Sequence, residues 1–328
     1  MTRIGIMSFA HLHAHAYAAG LAAHEGAELS IIWDDDESRG KAASEQYGAP
    51  YTNDAAEFFE KAGEGVIITS ENVKHRAMAE QAAAAGKWIL CEKPLATTVE
   101  DAQAMVDACK QAGVGLGVAY PCRFIPAVEH VKEQLESGAL GELVAASCTN
   151  NGQFPGGWFA DESLSGGGAT MDHTVHVADL LRWMTGREFT TVYCENGNLL
   201  RPGINTDDIG SVHFEMDGGF KIAHVGSWNR CDSFPTWGDV TMEIVGTGGV
   251  IYLDAFNQKL NVYNDDDVKA AWAYWGGDPN ARLVADFVAS IQEKRDPCAN
   301  GVDGVRTVAV SVAACESAKA NKPMTVAR

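Results

Sequence analysis

Between residues 3 and 120 short β-rich runs alternate with alanine-rich helical stretches, and no other feature of the chain restricts its fold as strongly. The strand candidates are Arg3 to Met7, Glu28 to Trp33, Gly65 to Thr69, Lys87 to Cys91 and Val114 to Ala119. Helical stretches such as Ala77 to Gly86 and Val99 to Gly113 lie between them. Strands joined by helices pair in parallel through crossovers, so the repeat predicts a doubly wound parallel α/β sheet. In such sheets ligands gather beyond the carboxyl ends of the strands.

Past Arg123 the pattern changes. A helix from about Pro126 to Ser137 leads to a strand near Leu143 to Thr149, a glycine-rich loop from Gly152 to Gly168, and a helix from Ala169 to Met184. Six β-rich runs follow: Thr191 to Glu195, Ile209 to Met216, Phe220 to Ser227, Val240 to Val245, Val250 to Leu253 and Lys259 to Tyr263. Turns such as Asp217-Gly218-Gly219 and Thr247-Gly248-Gly249 separate some of them, which predicts hairpins and a large, open, mainly antiparallel sheet. Helices near Ala281 to Glu293 and Val305 to Lys319 finish the chain. A length of 328 residues exceeds one ordinary core. Two domains are expected, residues 1–121 with the parallel sheet and residues 122–328 with an α+β arrangement. An outer sheet face left uncovered would be buried in a homodimer or homotetramer.

The formal charge of −19 comes from 25 Lys plus Arg against 44 Asp plus Glu. That surface repels phosphates and anionic lipid, so neither nucleic acid nor membrane is an expected partner. No apolar run is long enough to span a bilayer. The start, Met1 to Met7, passes straight into a strand and lacks the apolar centre of a signal peptide. Eight scattered cysteines without a Cys-x-x-Cys pair suit buried thiols in a reducing cytoplasm.

The first strand-to-helix turn reads Gly5-Ile6-Met7-Ser8-Phe9-Ala10-His11-Leu12-His13. A dinucleotide site wants three small residues there; Ser8 and Ala10 fill two places, and His13 stands at the third. Ser8, Phe9, Ala10, His11 and Leu12 are the phosphate-side candidates, since the following helix start attracts anions. Asp34, at the end of the second strand, is placed to accept hydrogen bonds from ribose hydroxyls and to disfavour an added phosphate. Arg39 would soften that preference, so NAD is the expected cofactor with NADP accommodated. His11, His13 and His15 invite a metal, but a helix would put only His11 and His15 on one face, and no cysteine helps. No metal is expected.

Two clusters carry chemistry. Cys91-Glu92-Lys93-Pro94-Leu95-Ala96 holds Lys93 between a strand end and a turn, with Thr97 or Thr98 capping the next helix. Alone, Lys93 reads as a surface lysine before a proline. Far along the chain, Gly166-Gly167-Gly168 opens a helix on which Asp172 and His176 stand four apart and share a face. His173 is turned away from them by about 100°. A carboxylate beside an imidazole orients it and raises its basicity. With a lysine added, the set suits proton movement on a carbinol.

These motifs resemble those of the Gfo/Idh/MocA oxidoreductases, which include glucose–fructose oxidoreductase and inositol dehydrogenase. Four elements stand in order: Asn72-x-x-His75, Glu92-Lys93-Pro94, the glycine-led segment with Asp172 and His176, and Gly246-Thr247-Gly248-Gly249. Tyr120 and Arg123, followed by Phe124 and Pro126, look like the family's domain junction. The departures are Ser8, Ala10 and His13 at the nucleotide turn, and Glu71 where the family has proline. The resemblance implies a Rossmann domain for NAD or NADP and an α+β domain for substrate. It implies that Lys93 steadies the reacting oxygen, that His176 is the general base, and that Asp172 positions substrate and imidazole. Thr69, Asn72, His75, Glu92, Lys93, Tyr120 and Arg123 would join the cofactor site.

Lys93, Arg123, Asn151, Trp158, Asp172, His173 and His176 are the substrate candidates. The aromatic residues Trp158, Phe159, Trp228, Trp237, Trp272 and Trp275 suit the C–H faces of a sugar ring, although several would serve as core. The leading expectation is an NAD-dependent dehydrogenase acting on a secondary hydroxyl of a sugar, polyol or glycoside. The alternatives are a redox-neutral glycosidase working by oxidation and elimination, and a non-catalytic NAD-binding sensor.

Overall fold

The computed structural model describes the backbone of residues 1–234, 236–264, 269–274 and 277–328, and side chains outside 235 and 263–276. The chain divides into two compact units, Met1–Pro121 with Asp278–Val308, and Cys122–Gly277 with Ala309–Arg328.

The first unit follows the alternation in the sequence. Its elements are β1 (Thr2–Met7), α1 (His13–Ala22), β2 (Ala27–Trp33), α2 (Glu37–Tyr47), β3 (Tyr51–Thr52), α3 (Ala55–Lys61), β4 (Gly65–Ile68), α4 (His75–Ala84), β5 (Trp88–Cys91), α5 (Val99–Ala112) and β6 (Leu116–Val118). All six strands run parallel in the order β3-β2-β1-β4-β5-β6. The order reverses direction beside β1, and there such sheets open a crevice for a ligand. The two-residue β3 is too short to show in the sequence pattern. Ile4, Ile6, Ile32, Val66, Ile67, Ile89 and Leu90 are fully or almost fully buried, as expected of strands covered on both faces. Thr98 caps α5 by accepting the Asp101 N–H at 3.1 Å.

The second unit begins with α6 (Pro126–Glu136), β7 (Leu143–Gln153), the single turn α7 (Glu162–Ser165) and α8 (Ala169–Thr185). There follow β8 (Phe189–Gly197), β9 (Ile209–Met216), β10 (Phe220–Arg230), β11 (Thr241–Gly246), β12 (Gly249–Asp254), β13 (Lys259–Asn264) and β14 (Lys269–Tyr274). The chain returns through α9 (Pro279–Glu293) of the first unit and α10 (Gly301–Ala320), and ends in β15 (Met324–Thr325). The large sheet has seven strands in the order β12-β11-β7-β10-β9-β8-β15. All its pairs are antiparallel except β7 with β10. β13 was expected in this sheet; it pairs with β14 in a separate ribbon instead.

Strand β9 shows why the sheet is half covered: Val212, Phe214 and Met216 are buried, and Ser211 and His213, which alternate with them, are exposed. α8 packs on the covered side against β7, β9 and β10, with Val175, Leu180 and Leu181 fully buried. The helix needs glycine at its entry, because a Cβ on Gly168 would lie 1.9 Å from the Asp207 carbonyl oxygen. That close approach lets the Asp207 carboxylate accept the Gly168 and Thr170 N–H groups at 3.2 and 2.7 Å and so cap α8. Val144, Val225, Val250 and Tyr252 remain exposed. No helix among the described residues is long and apolar enough to cross a membrane.

Candidate active site

The first unit supplies a nucleotide turn and a lysine. Ser8 takes a positive φ of 75°, a conformation that glycine adopts without cost. Several bonds hold it there. Its N–H donates to the Trp33 carbonyl at 2.6 Å, and its own carbonyl accepts the Thr69 hydroxyl at 2.6 Å. Its Oγ accepts the Ala10 N–H at 3.2 Å. Thr69 also accepts the His11 N–H, so the end of β4 braces the whole turn. The turn suits a diphosphate: α1 has no acidic residue in its first turn, and Leu12 at its N-cap makes no side-chain capping bond.

Asp34 is fully buried at the end of β2. Its carboxylate accepts the Phe9 N–H at 2.7 Å and the Asp36 N–H at 2.9 Å, and Arg39 grips it through Nε and Nη2 at 2.9 and 2.6 Å. Burial works against the Arg39 charge, but Asp34 outweighs it and raises the guanidinium pKa above its ordinary value. The Asp34 carboxylate is therefore enclosed and gripped by the half-buried Arg39.

Lys93 is 5% exposed, just beyond β5. The backbone N–H of Lys93 donates to Glu92 Oε2 at 2.9 Å. Glu92 Oε1 accepts the Tyr17 hydroxyl at 2.5 Å and lies 2.9 Å from His13 Nδ1. Burial alone would raise the Glu92 pKa; the nearby His11, His13 and Lys93 charges win and hold it well below the usual carboxylate range. His75 secures the far side of the loop. It is buried, with Nδ1 3.1 Å from the Pro94 carbonyl and Nε2 3.3 Å from that of Ser70, and burial lowers its pKa. It is thus a strut under the Lys93 loop. Asn72 is buried nearby in sequence, and the Tyr120 hydroxyl lies 2.7 Å from that of Thr307 inside the first unit.

The histidines do not group as helical spacing suggested. α1 starts at His13, so His11 lies in the turn and shares no helix face with His15. His15 instead meets Tyr47 Oη at 3.0 Å. His11, His13 and Glu92 do have ligand atoms within 4.8 Å of one another. Glu92 is already bonded to Tyr17 and His13, and His11 Nδ1 accepts the His13 N–H at 3.1 Å. Glu92 is thus shared between Tyr17 and His13.

The second unit supplies a carboxylate and two imidazoles. Asp172 and His176 stand one turn apart on α8, both half-buried. Trp228, fully buried on β10, donates its indole N–H to Asp172 Oδ2 at 3.2 Å. His173 was expected to point away, yet its Nε2 lies 3.2 Å from the same oxygen. Its Nδ1 is 2.7 Å from the Asn150 carbonyl, so both ring nitrogens face acceptors and the ring is packed rather than open. Behind it His224 is fully enclosed, and burial drops its pKa to about 3.

Other candidates are engaged internally. Arg123 is 2% exposed and binds Asp179 of α8 through Nε and Nη2 at 2.8 and 2.5 Å, the planar fork matched to the carboxylate. Asn151 Oδ1 accepts the Ser227 hydroxyl at 2.5 Å, and its backbone pairs with Asp239. Trp158 stacks on Phe159 with ring centroids 3.9 Å apart. Trp237 is 47% exposed, whereas Trp275 and the Trp272 side chain lie outside the described residues. Sequence reasoning missed the Trp228 bond to Asp172, because partners 56 residues apart leave no local pattern.

Residues 3–120 match the family model for the Gfo/Idh/MocA oxidoreductase family with an NAD-binding Rossmann fold, and residues 128–252 match a Gfo/Idh/MocA C-terminal domain. The chain belongs to the Gfo/Idh/MocA family: it is an oxidoreductase, and its first unit is an NAD-binding domain. It is 26% identical over 333 residues to D-apiose dehydrogenase of Paraburkholderia graminis, covering 96% of this chain and 86% of that protein. It is 25% identical over 316 residues to scyllo-inositol 2-dehydrogenase (NAD(+)) of Bacillus subtilis, covering 91% and 89%. A solved levoglucosan dehydrogenase, in complex with NADH and L-sorbose, superposes over all of both chains with a TM-score of 0.85 at 24% identity.

Proposed function

We propose that this oxidoreductase removes hydride from a secondary hydroxyl of a sugar, polyol or glycoside, and that Lys93, Asp172 and His176 serve that one step. The supporting observation is a buried lysine at the carboxyl end of β5 in an NAD-binding sheet, together with a carboxylate and imidazole one turn apart on α8. Relatives named for apiose, inositol and levoglucosan dehydrogenation support a sugar or polyol as the substrate class.

Bound NAD supplies the hydride acceptor. Lys93 hydrogen-bonds the carbinol oxygen and steadies the charge that develops there. His176 takes the hydroxyl proton as general base. Asp172, fixed by the Trp228 indole and His173, positions substrate and imidazole. Ser8 to Leu12 cradle the diphosphate, and Asp34 accepts from the ribose hydroxyls. Arg39 lets NADP bind, with NAD preferred. The exposed Val144, Val225, Val250 and Tyr252 suit a homodimer or homotetramer, which light scattering on the purified protein would reveal.

A panel of sugars and polyols with NAD, read by absorbance of reduced nicotinamide, tests the reading. Oxidation of at least one carbinol compound supports it. Aglycone release from aryl glycosides with catalytic NAD and no accumulated NADH would replace it with the redox-neutral glycosidase.

A further inference from the structure

The aromatic cluster beside Asp172 ends in a cation that the mechanism above does not use. Phe159, Ala169 and Trp228 are buried together, with Phe154, Trp158 and Ile204 half-buried against them. Phe154 meets Trp228 at a centroid distance of 5.5 Å, and Trp228 is the residue that holds Asp172. The Arg201 guanidinium lies over Phe154, its central carbon 4.5 Å from the ring centroid.

The position of Arg201 is set by its backbone. The buried Asp208 carboxylate accepts the N–H groups of Leu199, Leu200 and Arg201 at 2.9, 2.8 and 2.6 Å. The loop before β9 is therefore wound on one carboxylate, which is spent on the backbone and not on the guanidinium. Arg201 is half-buried, and its Nε is enclosed with no hydrogen-bond partner among the described residues. No carboxylate pairs with its guanidinium there either. In a chain with 44 acidic side chains, a guanidinium with no carboxylate partner among the described residues has a charge still to be matched. Phe154 lies against the guanidinium on one side, and a planar fork of N–H groups suits a planar or tetrahedral oxyanion.

We infer that Arg201 reads an anionic group, a carboxylate or a phosphate monoester, carried by the carbohydrate substrate. The inference rests on the dehydrogenase reading and narrows it. The sugar ring packs its C–H face on Phe154 and Trp158, the carbinol lies toward Asp172, and the charged substituent lies toward Arg201.

The test compares glucose, gluconate, glucuronate and glucose 6-phosphate with wild type, Arg201→Ala and Arg201→Lys, in turnover with NAD and in calorimetric binding to the NADH-bound protein. At least one anionic compound should outperform glucose. Arg201→Ala should raise its KM or Kd on the order of tenfold to a hundredfold, the size of a lost charge-assisted bond, with kcat little changed. Arg201→Lys should recover part of the loss, and glucose should respond to neither variant. Preference for the acids over the phosphate identifies a carboxylate as the ligand, and the reverse a phosphate. Glucose used or bound as well as every anionic compound, or variants equal to wild type on the anions, would overturn the inference. If none of the four is turned over, the calorimetric arm still decides the role of Arg201, and the dehydrogenase reading stands or falls on the wider sugar and polyol panel.

Discussion

Lys93 and Asp172 are both polar groups held in packed surroundings, but the chain places them by different means. Lys93 follows from topology: a parallel strand must end somewhere, and β5 ends at Cys91 with the next residues in the ligand-collecting loop. Glu92, anchored by Tyr17 and His13, and His75, under Pro94, then fix the loop. Asp172 follows from contact. Its helix face is a matter of spacing, but its carboxylate is aimed by an indole from β10 and an imidazole that doubles back from the next residue. A site made by topology tolerates changes around it, whereas a site made by contacts depends on each one.

The sharpest way to break that comparison is to remove the groups themselves. Lys93→Met and His176→Ala should each lower kcat/KM by on the order of 10³-fold while leaving NADH affinity, read by fluorescence titration, within a few-fold. Rates near wild type would take these residues out of their roles.

Glu92→Gln probes the topological half through stability. The variant keeps the shape but loses the charge that Tyr17 and His13 satisfy, and should cost about 1–3 kcal/mol near neutral pH. Because the folded-state pKa of Glu92 is depressed, its stabilisation is present above the usual carboxylate value of 4.5 and fades as pH falls below it. Melting temperatures of wild type and variant should therefore converge between about pH 4.5 and lower pH, within the range where the protein stays folded. A gap that does not change with pH would mean that Glu92 carries no such charge.

Asp34→Ala leaves Arg39 with only the exposed Asp35 as a carboxylate partner. The ratio of NADP to NAD use should rise by about tenfold, the worth of one matched or mismatched ribose contact. An unchanged ratio would make the ribose assignment wrong. The smallest effect is expected from Trp228→Phe, which keeps an aromatic ring at the site and removes the indole N–H from Asp172 together with the rest of the five-membered ring. A fall in kcat/KM of about tenfold or less, with NADH binding unaltered, is expected from the loss of one hydrogen bond. No change in kcat/KM would show that the indole does not aim the carboxylate.

The same division separates what was legible in the sequence from what was not. β9 and the start of α8 could be read to the residue, because alternation and the Gly168 entry are local signals. Asp34, Lys93 and the Asp172–His176 spacing were legible for the same reason. The place of β13 was hidden, since its apolar alternation says that it is a strand and not which strand it joins. The burial of His173 against Asn150, the Asp207 cap on α8 and the placing of Arg201 by Asp208 were hidden too. Each depends on a partner brought in by the fold, which a reading of neighbours along the chain does not see.

The central claim is that hydride leaves a substrate carbinol directly for the nicotinamide. The direct measurement uses the best compound from the sugar and polyol panel, deuterated at the reacting carbon, with the reduced cofactor analysed by mass spectrometry after a single turnover. One deuterium in the cofactor, appearing on the order of 10³-fold more slowly when Lys93→Met or His176→Ala replaces wild type, is the predicted result. Product formed with no deuterium in the cofactor would contradict the account.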